Sequence, residues 1–135
     1  MKKLFLFLAF LLFLGININA QSDEVTLVLC ERYDAKAGPI GIGSSFSKGY
    51  LTVVAMSNSS MKYKEVYIQF DKINKGSEYK FYKRFPFDFP YGYKTVYFSR
   101  SGDNDMSFDH TGYYIVYLLD IKYNVIASTF VNIVD

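Results

Sequence analysis

The sequence predicts an all-β domain, a sandwich of about seven antiparallel strands in two sheets, and three observations predict it. Apolar residues recur at every second position in short runs. Clusters of Gly, Asn, Asp, Ser and Pro separate these runs, as turns separate strands. The chain also contains 13 Tyr and 13 Phe but no Trp, and aromatic rings pack well on a pleated surface.

The alternation predicts each strand in turn. In the first, Val25, Leu27 and Leu29 share one face. Pro86 and Pro90 are expected to end the fourth strand, because proline has no N–H to give to a ladder. Residues 34–48 are expected to form a loop. The seven predicted strands are 24–32, 49–57, 62–71, 78–85, 93–100, 112–120 and 124–134.

The first twenty residues predict a secretory signal peptide. Lys2 and Lys3 precede an unbroken apolar run from Leu4 to Leu14, and small Ala20 precedes Gln21. The run is about half the ~20 residues that a membrane span needs, so we expect cleavage after Ala20 and no permanent anchor. The mature part is then one domain, residues 21–135, exported to the periplasm or to the cell exterior.

The charge balance argues against nucleic acid as a partner. Lys2 and Lys3 leave with the signal peptide, which leaves 13 basic and 13 acidic residues in the mature chain. A neutral chain has no basic footprint for a phosphate backbone. The one cysteine, Cys30, cannot form an internal disulfide, so the fold is expected to depend on packing alone.

A specific resemblance lies in the sixth predicted strand. The segment His110-Thr111-Gly112-Tyr113-Tyr114 resembles the entry to the penultimate strand of immunoglobulin-like domains, where a small residue precedes a corner tyrosine by two positions. The resemblance implies an immunoglobulin-like sandwich in which the hydroxyl of Tyr114 bonds to nearby backbone. It also implies adhesion, scaffolding or binding rather than catalysis. Three features depart from antibody-type domains: the absence of a cysteine pair, the absence of a core tryptophan, and His110 in place of an aspartate.

The residues that could carry chemistry do not form a known constellation. Cys30 lies in an apolar strand, and the only histidine, His110, is distant in sequence. The segment Asp103-Asn104-Asp105 is similar to the start of a calcium loop, but Phe108 and Tyr114 stand where a hand-type loop needs Gly and Glu. We therefore expect no catalytic residues, cofactor or dedicated metal site. An irregular calcium site involving Asp103, Asp105 and Asp109 is the alternative to a solvated turn.

The most informative stretch runs from Tyr79 to Phe98 and holds ten rings interleaved with charged side chains. One sandwich core cannot readily bury ten rings from so short a segment, so some are expected at the surface. The alternative is that Phe85, Phe87 and Phe89 fill the open end of the sandwich. The residues expected to contact a partner are Tyr82, Arg84, Phe87, Phe89, Tyr91 and Tyr93.

Three functions follow from these expectations. The first is a non-catalytic exported binding or structural module that presents the aromatic surface of residues 79–98 to a protein or glycan. The second is a small inhibitor or immunity-type protein that blocks an enzyme with a loop such as 86–92. The third is a small glycan-active enzyme, which needs two carboxylates across a cleft, and the sequence singles out no such pair.

Overall fold

The structure is a computed structural model that describes residues 24–75, 77–99 and 106–135. The predicted signal peptide lies outside the described residues, and so do Asp103 and Asp105. Of the described residues, 64% lie in strands and none in a helix, which confirms the all-β prediction. Within these three ranges, no helix is long and apolar enough to cross a membrane.

Twelve strands are present in the described residues, rather than the predicted seven. Each predicted strand is found with slightly different bounds. The additional strands are short, and two of them lie in residues 34–48, which were expected to form a loop. The strands are β1 (Val25–Cys30), β2 (Arg32–Asp34), β3 (Gly38–Ile40), β4 (Ser45–Ser47), β5 (Gly49–Tyr50), β6 (Thr52–Ser57), β7 (Glu65–Ile73), β8 (Tyr79–Asp88), β9 (Thr95–Phe98), β10 (Ser107–Phe108), β11 (Gly112–Leu119) and β12 (Val125–Val134).

Two larger sheets carry the fold. One has three antiparallel strands in the order β1-β6-β9, and the other has five in the order β4-β12-β11-β7-β8. In the five-stranded sheet β4 pairs parallel with β12, and the other neighbours are antiparallel. Two-stranded ribbons, β2-β3 and β5-β10, complete the described fold.

One hydrophobic core lies between the two larger sheets, because each sheet contributes alternate residues to the same buried cluster. The three-stranded sheet contributes residues such as Leu29, Val53 and Phe98. The five-stranded sheet contributes residues such as Phe70 and Val116. Rings also meet across the core, since Phe98 contacts Phe87 with 5.1 Å between ring centroids. A cluster of this kind is the expected source of stability in a chain without a disulfide.

Tyr114 lies at the entry to β11 and is fully buried. Its hydroxyl donates to the backbone carbonyl of His110 at 2.7 Å. Gly112 precedes it with φ at +137°, a conformation that side chains with a Cβ rarely adopt. A Cβ at this position would also lie 3.3 Å from Cε of Lys72. The glycine therefore lets the chain turn into β11 close to β7.

The prediction that Pro86 ends its strand is wrong. β8 continues to Asp88, and Pro86 pairs with Tyr67. The reason is that β8 is the edge strand of the sheet. The N–H of Phe89 donates to the carbonyl of Lys64 on the β7 side. Because donors alternate along an antiparallel strand, the nitrogen of Pro86 points away from β7, where the ladder needs no donor.

Candidate binding surface

A bulge in β8 distributes the rings of the aromatic stretch between two faces. Lys83 pairs with Phe70 but Phe81 pairs with the next residue, Asp71, so Tyr82 is an extra residue opposite the ladder. Because side chains alternate along a strand, one extra residue reverses the face of everything beyond it. Tyr79 and Phe81 therefore point outward from the sandwich, whereas Phe85 points into the core.

The outward side of the five-stranded sheet gathers aromatic side chains from four strands, β7, β8, β11 and β12, and from one turn. Register places them in rows across the sheet, because directly paired residues of neighbouring strands share a face. We call this surface the outer aromatic face. Its members are Tyr67, Tyr79, Phe81, Arg84, Tyr113, Tyr117, Tyr123 and Phe130.

Five rings of the outer aromatic face are more than half exposed. Their exposed fractions are between 52% and 63%, and the five are Tyr79, Phe81, Tyr113, Tyr123 and Phe130. Exposed rings of this size are uncommon when they are adjacent. The largest apolar patch on a typical monomer is about 300–600 Å² and is often functional. The clustering makes this face the candidate contact surface.

Arg84 lies at the centre of the contacts on this face. Its guanidinium carbon is 4.5 Å from the ring centroid of Tyr123 and 5.3 Å from that of Phe81. Its Nε donates to Oε1 of Gln69 at 2.9 Å. Nε2 of Gln69 in turn donates to the carboxylate of Asp71 at 2.9 Å. We call the two rows that cross β7 at Gln69 and Asp71 the central rows. Their one cation, Arg84, and their one anion, Asp71, are linked through the amide of Gln69, so these rows carry no net charge.

Tyr123 reaches the face through a strained turn. The turn is held by the Asp120 carboxylate, which accepts from the backbone N–H groups of Lys122 and Asn124 at 2.9 Å. These hydrogen bonds hold the pKa of Asp120 below its ordinary value, against a smaller opposing effect of burial. Tyr123 adopts φ of 65°, which costs a residue with a Cβ about 1–3 kcal/mol. Its ring then lies 5.0 Å from that of Tyr67.

Neighbouring groups also perturb the tyrosines of the outer aromatic face. A hydrogen bond with Tyr123, together with the charge of that ring, raises the pKa of Tyr67. Burial raises the pKa of Tyr117, and the nearby Asp71 and Tyr79 raise it further. Both effects favour the neutral phenols, so Tyr67 and Tyr117 carry no charge at neutral pH.

The predicted contact residues do not form one patch. Arg84 belongs to the outer aromatic face, and Tyr91 and Tyr93 lie between β8 and β9. Tyr82 packs near Tyr114 at 5.4 Å between ring centroids. Phe89 is only 5% exposed and lies in the core, so it offers little surface to a partner.

Phe87 is half-buried and packs against the core cluster, so it also offers little surface to a partner. Its ring points inward because it lies beyond the β8 bulge, on the same side as Phe85. Without the bulge, alternation would place Tyr79, Phe81, Phe85 and Phe87 on one side of the strand. The bulge is the feature that the sequence did not signal.

A second exposed site is the rim loop, residues 89–94. Tyr91 and Tyr93 are 58% and 61% exposed. The N–H of Gly92 donates to the carbonyl of Met61, and the N–H of Met61 donates to the carbonyl of Tyr93, both at 2.9 Å. Phe89 anchors the loop in the core. The loop therefore presents two rings on a fixed backbone, beside an open groove of about 560 Å³ lined in part by Ser60 and Tyr63.

The calcium candidate Asp109 contacts protein groups instead. Its carboxylate lies 3.4 Å from Nζ of Lys83, and it accepts from the hydroxyls of Tyr82 and Ser107. Partial burial raises the pKa of Asp109, but the Lys83 ammonium and these hydrogen bonds outweigh it and hold the pKa below the ordinary value. Among the described residues, no three His, Cys, Asp or Glu side chains are grouped to hold a metal.

Ser107 and Cys30 carry nucleophilic groups, and both are buried. Ser107 is 6% exposed and lies 3.4 Å from Nζ of Lys83, but its hydroxyl donates to Asp109. Cys30 is fully buried, and its thiol lies 3.7 Å from the carbonyl of Thr52. Burial raises the pKa of the Cys30 thiol, which disfavours the reactive thiolate. Both side chains are placed for packing and hydrogen bonding.

The chain has no match among protein-family models, curated proteins or solved structures.

Proposed function

We propose that this chain is an exported, non-catalytic binding or structural module on an immunoglobulin-like sandwich, and that its outer aromatic face contacts a protein or glycan partner. The observation that carries the proposal is the grouping of five largely exposed rings on one sheet face. Single exposed apolar residues are ordinary, but adjacent ones mark interaction sites. Tyrosine is suited to this role because its ring packs while its hydroxyl remains hydrated.

The strand order supports the immunoglobulin-like part of the proposal. The comparison leaves aside β4 and β8, the two edge strands of the five-stranded sheet. The remaining strands of the two larger sheets then form one group of three, β1-β6-β9, and a second group of three, β12-β11-β7. This is the division of an immunoglobulin-like sandwich into its first and second sheets. The hydrogen bond from Tyr114 to the carbonyl of His110 supports it independently, because corner tyrosines make this kind of bond.

The proposal is tested with two matched double variants. The face variant is Tyr113→Ser with Phe130→Ser, and the rim variant is Tyr91→Ser with Tyr93→Ser. Each removes two rings of similar exposure, so each should fold. In glycan arrays and in pull-downs with defined candidate partners, we expect binding to be lost in the face variant and retained in the rim variant. Binding that persists in the face variant would exclude this surface.

An inhibitor or immunity-type protein is the second candidate function, and the rim loop favours it. Inhibitory loops bind tightly when their backbone is already fixed in the bound conformation, and the hydrogen bonds to Met61 fix this one. Pro86 to Asp88 lie within β8, so the segment that projects is shorter than the predicted 86–92. Here the two variants should exchange roles: inhibition of a co-purifying enzyme would be lost in the rim variant and kept in the face variant.

A further inference from the structure

We infer that the partner of the outer aromatic face is a second copy of this chain, which packs face to face as a symmetric dimer. The inference rests on the proposed function only in taking this face as the contact surface. It commits to one occupant for reasons of area, polarity and charge, and the outcomes with other occupants can be distinguished.

The area of the face suits a protein rather than a small ligand. A tyrosine or phenylalanine ring can bury about 150–250 Å², and five such side chains are between 52% and 63% exposed. They therefore offer on the order of 500 Å² in total, before the aliphatic side chains between them are counted. A stable interface of standard size buries about 800 Å² on each partner. The face reaches this range once Val125 and Val134, 57% and 40% exposed, are included.

The polar groups of the face favour a dry contact over a sugar. A glycan needs donors and acceptors that are free to bind its hydroxyls. Here the amide of Gln69 is used on both sides, because it accepts from Arg84 and donates to Asp71. Arg84 also lies against the rings of Phe81 and Tyr123. Polar groups whose hydrogen bonds are made within a surface cost less to bury against another surface than unpaired polar groups do.

The charge of the face favours a second copy in particular. A symmetric interface brings each residue against the same surface of its partner, so a patch of one charge sign would repel itself. In the central rows one Asp71 and one Arg84 are linked through Gln69, and the surrounding side chains are rings. The central rows of two such faces can meet without like-charge repulsion, whereas Glu65 and Asp88, which pair at the end of the same face, would have to lie at the periphery of the contact. The two faces would stack at about the 10 Å separation of packed sheets and leave both rim loops accessible.

The test is the oligomeric state of the mature chain, residues 21–135, measured by sedimentation and by light scattering between about 1 and about 100 µM. We expect a concentration-dependent dimer. The face variant should raise the dissociation constant about 100-fold or more, because buried aromatic anchors dominate interface energies. The rim variant should dimerise like the wild type. Phe130→Lys is a second face substitution, and a circular dichroism spectrum verifies that each variant folds.

Each outcome has one meaning. A wild-type chain that is monomeric throughout this range, or a dimer that survives both face substitutions, overturns the second-copy inference. If the monomeric wild type binds a glycan or another protein and the face variant does not, the inference fails while the proposed function stands. If the wild type is monomeric and the face variant binds everything the wild type binds, both fail.

Discussion

The inner and outer faces of the five-stranded sheet carry the same kind of side chain in different environments. On the inner face, Phe70 stacks on Phe108 with 4.5 Å between ring centroids and is fully buried. On the outer face, the ring of Phe130 is 63% exposed. Strands β7, β8, β11 and β12 contribute to both faces, so composition alone does not distinguish them. What differs is that one face has a sheet packed on it and the other does not.

The largest difference should come from truncating an inner ring. Phe70→Ala removes a fully buried ring that contacts Phe85 as well as Phe108, so it should lower the free energy of unfolding by about 3–5 kcal/mol. Urea denaturation of the wild type and the variant at one low protein concentration measures the change. A loss below 1 kcal/mol would mean that the two sheets do not enclose a packed core at this position.

An intermediate effect is expected at the buried hydroxyl of Tyr114. Tyr114→Phe removes its hydrogen bond to His110 and should cost about 1 kcal/mol. Burial raises the pKa of Tyr114 to about 12, and the nearby Tyr82 and Asp109 add to the increase. Since the folded-state pKa lies above the unfolded value near 10, the stabilisation is full below pH 10 and is lost as pH rises towards 12.

This pH dependence gives the Tyr114→Phe variant a specific signature. Tyrosinate absorbance in the folded wild type should include one ring that ionises only near pH 12, and the variant should lack it. Its free energy of unfolding should also fall less between pH 10 and 12 than that of the wild type. Identical alkaline titrations of the two proteins would contradict the buried position of the hydroxyl.

A smaller effect is expected at Arg84, which belongs to the outer face but is fixed there. Arg84→Met keeps the aliphatic stem and removes the guanidinium that lies on Tyr123 and Phe81. Cation–π contacts at exposed sites contribute about 0.5–1 kcal/mol, and we expect a loss of stability in that range. Arg84→Lys is the matched control, because it keeps the charge without the planar group and should recover part of the loss.

The smallest effect on the single chain is expected at Phe130. Because the Phe130 ring is 63% exposed, Phe130→Ala creates no cavity. It should change the free energy of unfolding by less than about 0.5 kcal/mol at concentrations too low for association. The same substitution should weaken association at high concentration. The contrast with Phe70→Ala therefore measures directly how differently the two faces use their rings. A large loss at low concentration would mean that Phe130 is covered within the monomer.

Period-two alternation was sufficient to predict an all-β chain and the approximate position of the long strands, because half-buried strands must alternate. It failed where backbone hydrogen bonding decides the outcome. The bulge at Tyr82 moves Tyr79 and Phe81 to the side opposite Phe85, and no residue near it is of a type that predicts a bulge. The short strands β3 and β4 lie in a segment whose glycines and serines favour turns.

The outer aromatic face was missed because its members come from distant parts of the sequence. Tyr79 and Tyr113 lie in one row only because both strands pair with β7, where each residue faces Ile73. A signal was nevertheless present in β11. Tyr113 and Tyr117 alternate with the buried Tyr114 and Val116, so both sides of this strand carry large apolar residues. A strand of that kind is either covered on both sides or presents one side to a partner.

Pro86 has a consequence for assembly beyond its own strand. An open edge such as β8 can recruit another strand without limit, which leads to fibres rather than to particles of fixed size. The nitrogen of Pro86 points to this edge and carries no hydrogen, so a strand added there would meet a gap in the donors. The missing donor therefore disfavours the addition of further strands at the β8 edge. The face-to-face contact that we infer would, in contrast, close after two copies.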